Sequence, residues 1–159
     1  MALPNNLRNK LALPMVAAPL FIISNPDLVI AQCKAGVVGS FPALNARPAA
    51  ELEVWLERIT RELKAHDEAN PDAPAAPFAV NHIVHGSNDR LQHDMDLCVK
   101  YQVPIVITSL GAKEFVNEAC EARREMFGPK RKDGARKIRG TSGSAIWAMR
   151  DLGAHVVDH

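Results

Sequence analysis

The chain has 159 residues, 47% of them hydrophobic, and a formal net charge of +1 at neutral pH. This length is enough for one sizeable core, either as a single domain or as part of a larger one. The near-neutral charge gives no whole-chain reason to expect a nucleic-acid partner or an acidic partner.

The cysteines argue against a disulfide framework and against a structural zinc site. They are odd in number and widely spaced, without a CxxC pair: Cys33, Cys98 and Cys120. This pattern indicates reduced thiols that pack among apolar neighbours. Reduced thiols are typical of a reducing compartment, so we expect a cytoplasmic location.

The N-terminal apolar stretch, residues 11–23, is interrupted by Pro14 and Pro19. It is shorter than the roughly 20 apolar residues that a membrane-spanning helix needs. A buried strand explains it better than a signal peptide, and we expect no membrane partner. Within this stretch, "PMVAAPLF" (residues 14–21) is the continuous apolar run of a parallel strand that is covered on both faces.

The following segments alternate between helix and strand. Asn25 with Pro26 predicts the start of a first helix, and Gly36 predicts its end. "VVGSF" (residues 37–41) predicts a second strand. Pro48 opens a second helix, whose apolar residues fall on one stripe at helical spacing: Leu52, Trp55, Leu56, Ile59 and Leu63.

The pattern continues through residue 126. "FAVNHIV" (residues 78–84) predicts a third strand, and Asp89 with Gln92 fits a capping box that opens a third helix. "PIVITSLG" (residues 104–111) predicts a fourth strand, and "KEFVNEACEARREM" (residues 113–126) predicts a fourth helix. The third helix is expected to bury Leu91, Met95 and Cys98.

We place the boundary of the alternating domain at residue 120, so that it covers residues 1–120 and the end of the predicted fourth helix runs into the segment that follows. Residues 121–145 form a basic, divergent insertion or loop, and residues 146–159 predict a short helix and the start of a fifth strand. Residues 123–139 carry eight basic side chains and two acidic ones. We interpret them as a solvated loop, because the segment lacks the repeated aromatic residues on which nucleic-acid bases stack.

The alternation predicts an α/β fold with parallel strands, either a barrel or a doubly wound sheet. Both folds bind ligands at the carboxyl ends of their strands. The candidate site positions are therefore the residues at these ends, namely Ala18, Pro19, Ser40, Asn81, His85, Thr108 and Ser109.

Several other chemistries receive little support from the spacing. His82 and His85 lie three residues apart, so along a strand they face opposite sides, and we expect no metal site. Nucleophilic catalysis is also not indicated. Ser109 has no adjacent base and no GxSxG motif, and Cys98 lies on the buried stripe of a predicted helix. The glycines form neither GxGxxG nor a P-loop. The catalytic residue therefore stays unknown.

Three stretches of the chain resemble one enzyme family. They are "LPMVAAPLFIISNPDLVIAQCKAGVVGSFPALNARP", "FAVNHIVHGSNDRL" and "VPIVITSLGA", in this order within residues 13–117. Together they resemble the nitronate monooxygenases, also called 2-nitropropane dioxygenases. The resemblance implies an FMN-dependent (β/α)8 TIM barrel that oxidises alkyl nitronates with molecular oxygen, of which the first four to five βα units are present here.

The resemblance also implies which residues form the site. The backbone of residues 17–20 is expected to lie along the flavin ring. The amide of Asn81 is expected to hydrogen-bond the flavin, and Ser109 is expected to face it. His85 is expected to line the pocket. The cofactor-binding residues are then Ala17, Ala18, Pro19, Leu20, Asn81 and Ser109.

The chain departs from the family in ways that leave alternatives open. Such barrels need about 250 residues, and the family's base is a histidine in a "GGH" segment, whereas this chain has no Gly-Gly pair. We therefore expect a truncated or fragmentary member, a possible homo-oligomer. The alternatives are another flavin barrel related to the enoyl reductases, and a non-catalytic half-barrel that self-associates through an uncovered sheet edge.

Overall fold

The structure is a computed structural model that describes Leu7 and residues 10–110, 144–148 and 157–158. Within these ranges there are three α-helices, and a short 3-10 helix, Ala43–Asn45, follows the first strand. The helices are α1 (Pro26–Lys34), α2 (Glu51–Ala69) and α3 (Leu91–Lys100). The strands are β1 (Gly39–Pro42), β2 (Phe78–Ile83), β3 (Ile105–Ser109), β4 (Ser144–Ala148) and β5 (Val157–Asp158).

The five strands form one open sheet in the order β1-β2-β3-β4-β5. The pairs β1–β2 and β2–β3 are parallel, with α2 and α3 on the respective crossovers. Two parallel strands need such a crossover, because the chain must return to the end of the sheet where the first strand began before the second strand can start. The predicted α/β class is therefore confirmed, while closure into a barrel stays a prediction.

The two faces of the parallel strands have different neighbours. Phe41, Phe78 and Val80 lie on what we call the helix-covered face, in one core cluster with residues of α1, α2 and α3. Alternate residues point to the other side, which we call the opposite face. Its apolar cluster contains Val38, Ala79, Ile105 and Ile107, with Leu7 and Leu11 packed against it.

The predicted first strand, residues 14–21, is wrong in extent and in burial. Only one parallel bridge forms, between Val16 and Val38. Pro14 and Pro19 have no N–H to donate to a ladder, which prevents this run from pairing continuously. The run is also not covered on both faces, because Met15 is 54% exposed and Val16 is 39% exposed.

The first two helices largely follow the predictions. Asn25 is the N-cap of α1, with its Oδ1 accepting the Leu28 N–H at 3.0 Å. After the helix, Gly36 has a φ of +78°, which a residue without Cβ adopts readily. Of the predicted stripe of α2, Leu52, Leu56, Ile59 and Leu63 are buried and Trp55 is partly buried. The helix begins at Glu51 because residues 48–50 form a separate turn first.

The predicted capping box of the third helix is wrong. The N-cap of α3 is Arg90, with no side-chain cap. Instead, Asn88 organises the preceding loop: its Nδ2 donates to the Ile83 carbonyl at 2.9 Å, and its Oδ1 accepts from the Arg90 N–H at 3.3 Å. Gln92 donates to Asp96 further along the helix, so it does not reach back to the cap.

The C-terminal predictions need a further correction. Residues 144–148 form β4 and not part of a short helix, and β4 and β5 pair in antiparallel fashion instead of extending the parallel sheet. Ile146 and Trp147 are residue types that favour strands, and the edge of β3 offers them a pairing partner. The predicted fourth helix, residues 113–126, and most of the basic segment lie outside the described residues.

Cys33 and Cys98 are buried, as the sequence indicated, and within the described residues they form no disulfide bond. Burial raises the pKa of the Cys33 thiol to about 12, so this thiol stays protonated and unreactive at neutral pH. No helix in the described ranges combines the length and the apolar character that crossing a membrane requires.

Candidate functional site

Asn81 and Ser109 meet on the opposite face of the sheet, at the carboxyl ends of β2 and β3. Each lies two residues beyond an apolar residue of that face, Ala79 and Ile107 respectively. The Ser109 hydroxyl donates to the Asn81 Oδ1 at 2.8 Å. Asn81 is only 6% exposed. The bond sets the orientation of its amide, because the Oδ1 has to face the Ser109 hydroxyl. In the described part of the chain its Nδ2 has no acceptor.

Ser40 anchors the first apolar segment to this end of the sheet. Its side chain is buried, and its hydroxyl donates to the Ala17 carbonyl. The Ala17 N–H in turn donates to the Val38 carbonyl at 2.8 Å. Beyond this anchor, Ala18 and Leu20 are exposed and Pro19 is half-buried. Residues 18–20 are therefore anchored through Ala17 at one end, and at the other end the Leu20 N–H and carbonyl are bonded to Ser24 and Asn45, so Ala18 and Pro19 are the part of this segment most open to a ligand.

His85 lies just beyond the end of β2 and is exposed. The residue before it, Val84, donates its N–H to the Ser109 carbonyl at 2.8 Å, which holds this loop beside the end of β3. The Ser87 N–H donates to the Nδ1 of His85 at 3.2 Å, and the Ser87 hydroxyl is 2.9 Å from the same nitrogen. Because Nδ1 accepts a hydrogen bond, the neutral ring carries its proton on Nε2 and offers a donor there.

His82 does not belong to the site. It lies two residues after Val80, on the helix-covered face, and its Nε2 is 3.3 Å from the Sγ of Cys98 in α3. Burial, with a smaller contribution from Arg90, lowers the pKa of His82 to about 4. Thr108 is fully buried. It lies two residues after Val106, which pairs with Val80, so Thr108 is also on the helix-covered face and points away from Asn81. Of the polar residues predicted at the strand ends, Thr108 is therefore not brought together with Asn81 and Ser109.

The geometry favours binding over acid–base or nucleophilic chemistry. The Ser109 hydroxyl proton is directed at an amide oxygen, and an amide cannot activate a serine as a base would. No group of three or more His, Cys, Asp or Glu residues in the described ranges is placed to hold a metal ion. What the site offers is a set of directed donors and accessible backbone, which suits the polar edge of a planar ligand.

Two residues near the site were missed by reasoning from the sequence. Asn45, at the end of the 3-10 helix after β1, makes three hydrogen bonds to residues 20–24. Asn88 holds the loop that carries His85. The available signal was an asparagine in each of two loops that follow a strand, since this residue type often bonds loop backbone. The sequence did not show which backbone groups they would reach.

Comparison of the chain with protein-family models, with curated protein sequences and with solved structures gives no match.

Proposed function

We propose that the chain is a cytoplasmic, FMN-binding oxidoreductase of the nitronate monooxygenase type, which oxidises alkyl nitronates with molecular oxygen. The observation that supports this most is the pair of Asn81 and Ser109, at the same end of the sheet as the partly exposed residues 18–20. These are the positions that the family resemblance assigns to the flavin ring.

The chemistry of the residues fits a flavin. A flavin ring is flat and carries both donors and acceptors along one edge, so it needs an accessible backbone segment and at least one directed amide. Ala17 and Ala18 have small side chains, which permit close approach to the backbone. The Asn81 Nδ2 supplies a donor whose direction is fixed by Ser109. FMN would supply the electron transfer, while the chain binds and orients the reactants.

The proposed substrate is the nitronate anion and not the neutral nitroalkane. A nitronate has already lost the proton next to the nitro group, so its oxidation requires no general base. This agrees with a site whose described polar groups donate hydrogen bonds, including the Nε2–H of His85. His85 is assigned to the lining of the pocket, and no described residue is assigned as a catalytic base.

Replacing Asn81 tests the proposed site. We expect Asn81→Ala to weaken FMN binding about tenfold, because one directed hydrogen bond contributes on the order of 1 kcal/mol. The thermal unfolding midpoint should change little. Titration of apoprotein with FMN, followed by flavin fluorescence, measures the affinity. Asn70→Ala is the matched control, because Asn70 lies at the C-terminal end of α2.

An unchanged FMN affinity for Asn81→Ala, with a flavin-binding wild type, would remove Asn81 from the site. Turnover assays with and without a nicotinamide cofactor separate the proposal from its enzymatic alternative. Nitronate-dependent oxygen consumption without nicotinamide supports the monooxygenase. Nicotinamide-dependent reduction of an enoyl substrate would instead indicate an enoyl-reductase-like flavoprotein.

A second candidate is a non-catalytic half-barrel that self-associates. The observation that favours it is the exposure of large apolar side chains within residues 13–23, among them Ile22 at 77% and Ile23 at 62%. Exposed apolar surface beside a sheet edge favours association with a second copy of the chain.

A further inference from the structure

The turn of residues 20–24 is exposed, apolar and conformationally strained. Leu20, Phe21, Ile22 and Ile23 are between 46% and 77% exposed. Ile22 has a φ of +67°, a left-handed conformation that is disfavoured for a β-branched residue and costs on the order of 1–3 kcal/mol. Hydrophobic burial therefore does not hold this turn in place, and another set of contacts has to do so.

The carboxamide of Asn45 supplies these contacts. Its Nδ2 donates to the carbonyls of Leu20 and Ser24, both at 2.9 Å, and its Oδ1 accepts the Ile22 N–H at 3.0 Å. Ser24 closes the turn from inside, because its buried hydroxyl accepts the Leu20 N–H at 3.0 Å. One side chain thus bonds to three residues of a turn that lies 21 to 25 residues earlier in the chain.

The loop that carries Asn45 is itself fixed to α3. The Arg90 Nη1 donates to the Ala46 carbonyl at 2.8 Å, and its Nη2 contacts the carboxylate of Asp94 at 3.2 Å. Asp94 is fully buried, so this arginine has little freedom to move. A continuous set of polar contacts therefore connects α3, the loop after β1 and the turn after the first apolar segment.

We propose that Asn45 is a positioning residue for ligand binding. By holding residues 20–24, it presents the backbone of residues 18–20 to the flavin ring in a single conformation. The assignment builds on the proposed function, since it names a residue that prepares the same site without touching the ligand. A second strained aliphatic residue, Leu110 with a φ of +66°, directly follows Ser109. Such strain at two exposed positions on the binding side of the sheet is typical of preorganised sites.

Two substitutions of Asn45 test the proposal in the full chain. Asn45→Asp keeps an acceptor for the Ile22 N–H but loses the donor to Leu20 and Ser24, and Asn45→Ala loses all three bonds. We expect FMN affinity to fall roughly tenfold or more in both variants, because two hydrogen bonds to the turn are lost in Asn45→Asp and three are lost in Asn45→Ala. Amide exchange at Ile22 should accelerate most in Asn45→Ala, and the visible spectrum of bound FMN should shift.

Asn70→Ala serves as the control, because it also removes an asparagine side chain that bonds a backbone carbonyl, that of His66. It should leave FMN affinity, the flavin spectrum and Ile22 exchange unchanged. Faster Ile22 exchange with unchanged FMN affinity and spectrum would overturn the proposal, since the turn would then be held by Asn45 without serving the ligand. A wild type that binds no FMN would overturn the proposed function, and with it the positioning role, even if Ile22 exchange still responds to Asn45.

Discussion

Neighbouring polar residues of β2 face opposite sides of the sheet and have different roles. Asn81 lies on the opposite face with a hydrogen bond from Ser109, whereas His82 lies among the helices against Cys98. Among the residues that the structure describes, the buried Nδ1 of His82 has no hydrogen-bond partner. A buried imidazole in this environment stays neutral, because the charged form would lose its hydration without gaining a counter-ion.

The pKa of His82 gives a prediction about stability. It is lowered from 6.5 to about 4 in the folded chain, so between these pH values the unfolded state binds more protons than the folded state. The stabilisation is therefore complete above about pH 6.5 and is lost as the pH falls towards 4, by roughly 3 kcal/mol in total. Urea unfolding at several pH values between 7.5 and 4 measures this loss.

Substitution of His82 separates its contribution to the pH dependence of stability from that of the Asp and Glu side chains, which also titrate in acid. In His82→Gln the free energy of unfolding should depend less steeply on pH in this window than it does in the wild type. Equal slopes for wild type and His82→Gln would show that His82 is not held neutral by the fold.

The face on which Asn81 lies could be predicted from the sequence, but its contacts could not. Alternation along "FAVNHIV" places Asn81 with Ala79 and separates it from His82, because the side-chain period of a strand is two. The bond from Ser109 joins residues 28 positions apart, and the bonds of Asn45 also span two elements. Such contacts depend on how the elements pack, which local patterns do not encode.

At the level of elements, α1 packs on β1 through a glycine. A Cβ on Gly39 would lie 2.5 Å from the Val29 carbonyl oxygen and 3.0 Å from the Sγ of Cys33. Both atoms belong to α1, and the closer one is backbone, so the helix itself would have to move. The absence of a Cβ at Gly39 therefore allows β1 and α1 to approach closely at this point.

Gly39→Ala should therefore destabilise the fold, by roughly 1–3 kcal/mol as is typical of overpacking. Chemical denaturation followed by far-ultraviolet circular dichroism measures the change. Gly86→Ala is the matched control, because a Cβ at Gly86 would meet nothing within 4 Å. A Gly39→Ala variant as stable as the Gly86→Ala variant would contradict the tight packing of α1 on β1.

Elements with local signals are predicted well from the sequence, and elements that depend on pairing are not. The start of α1 at Pro26 and the stripe of α2 follow from capping and helical spacing alone. The first apolar segment has a strand-like sequence, but it pairs at one bridge only. β4 was mistaken for helix because its strand state depends on pairing with β3, a non-local interaction that overrides local propensity.

At the scale of the whole molecule, the open sheet and the exposed apolar segment predict self-association. We expect the apparent mass in size-exclusion chromatography to rise with protein concentration. Ile23→Lys should shift the protein towards a monomer, because Ile23 is 62% exposed beside the sheet edge and a charge there opposes association. Val54→Lys, at a 55% exposed position on α2, is the matched control and should behave as wild type. A wild type that is monomeric at every concentration would contradict this expectation.

Self-association and flavin binding are compatible, since a second copy that covers the apolar segment would also shield a flavin bound beside it. The proposed function, in contrast, requires that the chain retains FMN. Retention of FMN depends on the residues at the carboxyl ends of β1, β2 and β3 together. A direct measurement of FMN binding therefore tests the whole site, whereas a single substitution tests only one residue of it.

The most direct test is the visible absorption spectrum of the purified full chain after incubation with FMN and desalting, with circular dichroism to verify that the sample is folded. We expect a retained flavin band, which weakens in Asn81→Ala and persists in Asn70→Ala. A folded sample that retains no flavin would contradict the assignment of an FMN site to this chain.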